Sequence, residues 1–324
     1  MRRIIFVWIL VTILLATSPY ADAQTTPKLP VIGVISSSPN TLQNDAFRQA
    51  LRELGYIEGK NISLEWRSAE GQLDRLPALA AELVQFKVDI IVASSNPAII
   101  ALQKATQTIP IVMTVVADPV GAGFVASLAR PGGNITGLTN LSEDLSSKRV
   151  ELLKEILPKI MRVAVLRNPT IPTHAVLWKE TQDTAKHFAM QLFPVDITGA
   201  GDLDTAFGAV IKNRAQAILV LPEPVTLTHR QEIVEFAAKN KLPGMYPFGD
   251  FTDVGGLVYY GPNRIDLWRR GAVYVDKILK GRKPADLPVE QPMKFEFVIN
   301  LKAAKQIGLT IPPNVLVRAD RVIR

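Results

Sequence analysis

Short apolar runs rich in β-branched residues alternate along this chain with amphipathic stretches of helical period, and the alternation occurs twice. Val31–Ser36, Asn61–Arg67, Asp89–Ala93, Ile109–Val116 and Ile135–Thr139 read as strands. Thr41–Leu54, Leu73–Phe86, Pro97–Thr106 and Pro119–Ala129 read as the helices between them. In the second of these, Leu76, Leu79, Ala80 and Leu83 share one face at the i, i+3, i+4, i+7 spacing. Strands joined through helices of this length form βαβ units, so the pattern predicts a parallel sheet covered on both faces.

The pattern then restarts. Lys148–Leu157, His174–Met190, Leu203–Lys212 and Arg230–Lys239 read as helices. Arg162–Leu166, Leu192–Ile197, Ala217–Leu221 and Gly244–Tyr246 read as strands. A third section holds only the strand Leu257–Tyr260, the helix Arg264–Lys280, the proline-bearing stretch Pro284–Pro292 and the strand Phe295–Asn300. These cannot bury a core alone, so they must be shared between the first two units. The expected fold class is α/β, with two doubly wound parallel-sheet lobes joined by crossing hinge strands. The first lobe is placed at residues 30–140 plus 262–284, the second at 141–258 plus 293–324. Crossings fall near 139–142, 256–262 and 285–293.

The first 23 residues stand apart from this pattern. Arg2 and Arg3 precede a nearly unbroken apolar run, Ile4 to Ala16, and Ala21-Asp22-Ala23 offers small residues for cleavage before Gln24. Basic start, short apolar core and A-x-A end are the parts of a cleavable export signal. About 13 apolar residues span roughly 20 Å, short of a bilayer core of about 30 Å. The mature chain is therefore expected to work in the periplasm. It has no cysteine, which removes thiol catalysis, cysteine-based zinc sites and lipid attachment through a leading cysteine. Its charge falls from +7 to +6 without two Arg and one Asp of the leader, and cations and anions are interleaved. No nucleic-acid partner is expected from that distribution.

Ligands of open parallel sheets bind just past the carboxyl ends of strands. Here those places hold Ser36 and Ser37, then Ser95 and Asn96, then Asp118, Asn140 and, in the second unit, Asn168 and Pro222. Tyr246, Phe248 and Tyr260 add aromatics at the later strand ends. Asn96-Pro97 and Asp118-Pro119 each read as an N-cap before a proline at the first helical position. Capping alone explains such pairs, but helix N-termini converging on a cleft would also hold a carboxylate. Asp118 has an alternative role as acceptor for a ligand ammonium. Catalytic signatures are missing from the sequence: no G-x-S-x-G, H-E-x-x-H, P-loop or strand-bound G-x-G-x-x-G occurs. No enzyme activity, cofactor or metal is expected.

Several stretches together resemble a known family. They include Ala46-Phe47-Arg48-Gln49-Ala50-Leu51-Arg52-Glu53-Leu54-Gly55-Tyr56, Asp118-Pro119-Val120-Gly121 and Ser127-Leu128-Ala129-Arg130-Pro131-Gly132-Gly133-Asn134-Ile135-Thr136-Gly137. Tyr246-Pro247-Phe248 and Ala285-Asp286-Leu287-Pro288-Val289-Glu290-Gln291-Pro292 continue it. The chain resembles bacterial ABC-transporter substrate-binding proteins of the tryptophan-binding group, with a type I periplasmic-binding fold. That resemblance implies two lobes closing on a small ligand and delivery to a permease in the inner membrane, by a monomer. It points to Ser36, Ser95, Asn96, Asp118, Asn168, Tyr246 and Tyr260 as binding positions, with an amino acid or aromatic acid as a guess at the ligand. An exported sensor or an enzyme on the same scaffold is the alternative. A transcription regulator of this fold would carry a DNA-binding domain where this chain has its leader.

Intact-mass measurement of the exported protein is expected to give a chain starting at Gln24, whereas a mass retaining residues 1–23 would mean an uncleaved anchor.

Overall fold

A computed structural model describes residues 29–324 apart from Asn40, Leu141 and Lys294. The expected export signal over 1–23 lies outside the described residues. Five strands form the first sheet: β1 (Val31–Ser36), β2 (Ser63–Ser68), β3 (Ile90–Ser94), β4 (Ile111–Val116) and β5 (Ile135–Thr139). All pair in parallel, in the order β2-β1-β3-β4-β5. Helices α1 (Thr41–Glu53), α2 (Leu76–Gln85) and α3 (Asn96–Ala105) connect them. β3 and β4 are buried at every position, as strands covered on both faces must be.

The second sheet contains β6 (Arg162–Arg167), β7 (Gln191–Asp196), β8 (Ala217–Val220), β9 (Gly244–Tyr246) and β10 (Val258–Pro262). These five run parallel in the order β7-β6-β8-β9-β10, the same winding as the first sheet. Beyond β10 the sheet gains β11 (Phe295–Asn300), antiparallel, and β12 (Arg321–Ile323), parallel to β11. Around it lie α4 (Ser142–Ile156), α5 (Thr173–His187), α6 (Leu203–Lys212), α7 (Pro224–Thr228), α8 (Arg230–Lys239) and α9 (Asp250–Asp253). The chain is thus two parallel-sheet α/β lobes.

After β10 comes the long helix α10 (Arg264–Leu279), capped by the Asn263 side chain, which accepts from the Asp266 N–H at 2.9 Å. It leaves the second sheet and packs on α1 and β4. Trp268 on α10 is fully buried and meets Phe47 of α1 edge to face, with ring centroids 6.0 Å apart. Burying a side chain such as Phe47 is worth roughly 1.5–3 kcal/mol. The stretch after α10 then runs beside β5: Thr139 N–H donates to the Glu290 carbonyl and Glu290 N–H to that of Gly137. Two short helices, α11 (Leu301–Gln306) and α12 (Pro313–Leu316), close the chain before β12.

Two local expectations are corrected. The helix expected over Pro119–Ala129 does not form. Residues 119–123 make a turn closed by Phe124 N–H donating to the Pro119 carbonyl, and the Asp118 carboxylate takes the Gly121 N–H at 2.8 Å. Gly121 and Gly123 would each cost a helix about 1 kcal/mol, and Asp118 competes with the helix for a backbone donor. The helix expected from Lys148 starts at Ser142 instead. Its first turns, Ser-Glu-Asp-Leu-Ser-Ser, are polar and so carry almost no apolar periodicity.

Gly137 in β5 has φ +128, and a Cβ there would lie 2.2 Å from the Met113 carbonyl oxygen of β4. Backbone cannot yield as a side-chain tip can. Gly137→Ala is therefore expected to cost at least ~2–4 kcal/mol, read as a lower denaturation midpoint.

Candidate functional site

The strand orders create two places where neighbouring connections leave in opposite directions: between β1 and β3, and between β6 and β8. At the first, the Ser37 hydroxyl after β1 hydrogen-bonds the Ser95 hydroxyl after β3. Ser95 holds φ +91, a conformation that costs a non-glycine residue on the order of 1–3 kcal/mol. A register shift at Ala93/Ser94 precedes it. The strain sets Ser95 as N-cap of α3, where its side chain faces the Ala98 N–H. Asn96, expected as the cap, instead begins the helix. Its amide clasps the backbone of Ala117, donating to the carbonyl at 2.8 Å and accepting from the N–H at 2.9 Å.

The second switch point is held by His174 of α5. Its Nδ1 accepts from the Asn168 N–H at 3.0 Å, so Nε2 carries the proton and faces the Pro222 carbonyl at 3.2 Å. Burial pushes its pKa down to about 4, and the ring stays neutral at physiological pH. One imidazole thus ties the end of β6 to the end of β8. Asn168 uses its own carbonyl oxygen locally, accepting from the Thr170 N–H and hydroxyl.

Between these two switch points lies a cavity of about 60 Å³. Ser38, Ser94, Ser95, Asn96, Ala117 and Asn140 line it from the first lobe. Ile171, Thr173, Leu177, Pro222, Glu223, Leu227 and Phe248 line it from the second, and Arg264 enters from the start of α10. Of the residues singled out in the sequence, Ser95, Asn96, Asn140, Pro222 and Phe248 meet there. Ser37 stands behind Ser95, and Ser36 is buried at the end of β1. Asp118 is not in the lining; its carboxylate caps its own turn. Asn168 lies one step back, braced by His174. Tyr246 is a core residue stacked on Phe251 at 4.7 Å, and Tyr260 packs against Phe295 and Phe297. The Tyr260 carbonyl accepts from the buried Arg149 Nε at 2.8 Å, and burial lowers that guanidinium to about 10.

The two charged residues of the lining are not among the binding positions expected from the sequence. Glu223 was visible inside Pro222-Glu223-Pro224, directly after β8; Arg264 was visible as the first residue of a long helix after a crossing. Glu223 is buried and caps α7, taking the Val225 N–H at 2.8 Å and the Thr226 N–H. Burial pushes its carboxyl up to about 7, against the pull of those donors. The Arg264 guanidinium lies over the Phe248 ring, 5.0 Å from its centroid, and pairs with Asp250 of α9 at 2.8 Å. Gln43 of α1 also donates to Asp250, at 3.0 Å. Burial alone would raise the Asp250 carboxyl, but Arg264 and Gln43 hold it below the usual aspartate range. α9 belongs to the second sheet's side and α1 and α10 to the first, so this trio clasps the lobes together. Among the described residues no group of three or more His, Asp or Glu is arranged to hold a metal.

Comparison with known proteins places this geometry. Residues 28–323 match the family described as ABC transporter substrate binding protein. A tyrosine-binding protein of Clostridioides difficile (strain R20291) is 28% identical over 264 residues, 81% of this chain and 75% of that protein. A solved ABC domain from Streptococcus pneumoniae in complex with L-Trp is 26% identical, with a TM-score of 0.84 over 91% of this chain and 100% of that one. A conserved domain protein from Vibrio cholerae is 31% identical, also at 0.84 over 91% and 100%.

Asp250→Asn removes the anion from a buried pair and is expected to cost on the order of 3 kcal/mol. The loss should fall on the closed arrangement: the radius of gyration from small-angle scattering should rise, with the far-ultraviolet circular dichroism unchanged.

Proposed function

The chain belongs to the ABC transporter substrate-binding protein family, and we propose that it is the periplasmic, monomeric solute receptor of an importer, closing its lobes on an amino acid and handing it to an inner-membrane permease. The observation that carries this reading is the cavity shared by both lobes. Hydroxyl and amide groups at the start of α3 line one wall, and Phe248, Ile171 and Leu227 line the opposite one. The first wall suits a carboxylate, since Ser38, Ser94 and Ser95 bring hydroxyl groups to it and the N-terminus of α3 carries partial positive charge. The second suits an apolar or aromatic side chain. Relatives that bind tyrosine and L-Trp support the same ligand class.

Closure provides the message to the permease. A ligand that touches both walls binds the closed form better than the open one, and that difference is what shifts the population. We assign residues 30–140 and the α10 region to one lobe and the remainder to the other, with the second crossing at Asn263, since β10 stays in the second sheet through Pro262.

Thermal unfolding of ligand-stripped protein against the twenty common L-amino acids tests the reading. At a hundredfold excess over Kd the true ligand is expected to add about 2.7 kcal/mol, several degrees in Tm. Scattering should show a smaller radius of gyration with the same compound. No shift and no compaction across the amino acids would overturn the amino-acid reading.

A further inference from the structure

Glu223 and Arg264 are the two ionisable side chains among the described residues of the cavity lining. They stand in opposite situations. Arg264 already has its counter-ion in Asp250. Glu223 has none: its oxygens meet the Val225 and Thr226 N–H groups and the Asn168 side chain, all of them uncharged. A carboxylate without a cation is costly at 3% exposure. Capping does not explain the choice of residue, because Ser, Thr, Asp and Asn are the preferred N-caps and a glutamate must fold its longer chain back to do the same work. The site therefore keeps a carboxyl group in a ligand cavity with no cation of the protein to match it when ionised.

We infer that Glu223 is the specificity-determining receptor for a protonated amine on the ligand, so that the site selects a zwitterion over the corresponding plain carboxylic acid. This rests on the amino-acid reading above. Asp118, the acid that sequence alone offers for an ammonium, is turned away onto the Gly121 N–H. Glu223 takes its place from the opposite lobe. The ligand then spans the cleft by charge as well as by shape, its carboxylate toward α3 and its ammonium toward the end of β8.

A proton follows from the arrangement. The raised pKa leaves Glu223 partly protonated in the empty cavity near neutral pH. An arriving ammonium favours the ionised form, so binding expels that proton and tightens as pH rises. The charged groups around Glu223 are engaged with partners of their own. His174 of α5 is neutral throughout, and Arg264 of α10 and Arg167 of β6 are paired with Asp250 and Asp196. α7 carries no ionisable side chain, and past it His229 and Arg230 are engaged by Glu232 and the Leu227 carbonyl.

The test uses the full mature protein, stripped of ligand, and titration calorimetry. The tightest of the twenty L-amino acids is compared with its amine-free acid; for tryptophan that is indole-3-propionate. Wild type should bind the amino acid on the order of tenfold tighter at pH 8 than at pH 5.5, and should release a proton. Glu223→Gln, which keeps an acceptor oxygen for α7, should bind the amino acid on the order of 10–100-fold more weakly and lose the pH dependence. Its affinity for the amine-free acid should stay within about threefold. Equal losses for both compounds, or a flat wild-type pH profile, would overturn the inference while leaving the amino-acid reading intact. Failure of every amino acid to bind wild type would overturn that reading and this inference with it. The wild-type pH profile needs no variant, so a poorly folded Glu223→Gln would not rescue the proposal.

Discussion

Because β1 to β5 all run parallel, their carboxyl ends gather on one edge of the first sheet, and the order β2-β1-β3-β4-β5 sends the connections apart between β1 and β3. The second sheet repeats the same order with β7-β6-β8-β9-β10. Each switch point is spanned by a side-chain bridge. Ser37 with Ser95 does this in the first lobe, and His174 between Asn168 and Pro222 does it in the second. Each bridge fixes the loops of its own lobe that line the cavity, and the positions proposed for the ligand depend on them.

The strand and helix periodicity made the two windings legible, and several element ends coincide with the structure: Leu203–Lys212, Arg230–Lys239, Gly244–Tyr246 and Phe295–Asn300. Failures occurred where local chemistry overrode period. The Asp118–Gly123 turn is built from glycines and an aspartate that competes for backbone donors, which an apolar pattern does not register. β11 and β12 extend the second sheet with one antiparallel pairing, a long-range choice that no local window contains.

The candidate site was half legible for a related reason. Residues at strand ends can be named from sequence, but whether a side chain turns toward the cleft or the core depends on neighbours from distant segments. Phe248 faces the cavity and the guanidinium of Arg264, while Tyr246, two residues earlier on the same strand edge, faces Phe251 in the core. Asn96 was read as a cap for α3, yet its amide works sideways on Ala117, 21 residues away. Glu223 and Arg264 are absent from the expected binding positions because a glutamate between two prolines and an arginine at a helix start carry no one-dimensional pattern that marks a cavity lining.

Arg264 joins the two halves of the argument. It lines the cavity, yet its charge is committed to Asp250 across the cleft, with Gln43 beside it. Were Arg264 the sole carboxylate receptor, closure and ligand would compete for one guanidinium, and the ligand would weaken the clasp that encloses it. With the carboxylate assigned to the N-terminus of α3 and the ammonium to Glu223, the clasp and the ligand act in parallel. Each then adds to the closed state, and neither has to give up a partner for the other to form. Coupling of that sign is what a receptor needs if its closed shape is to report that it is loaded.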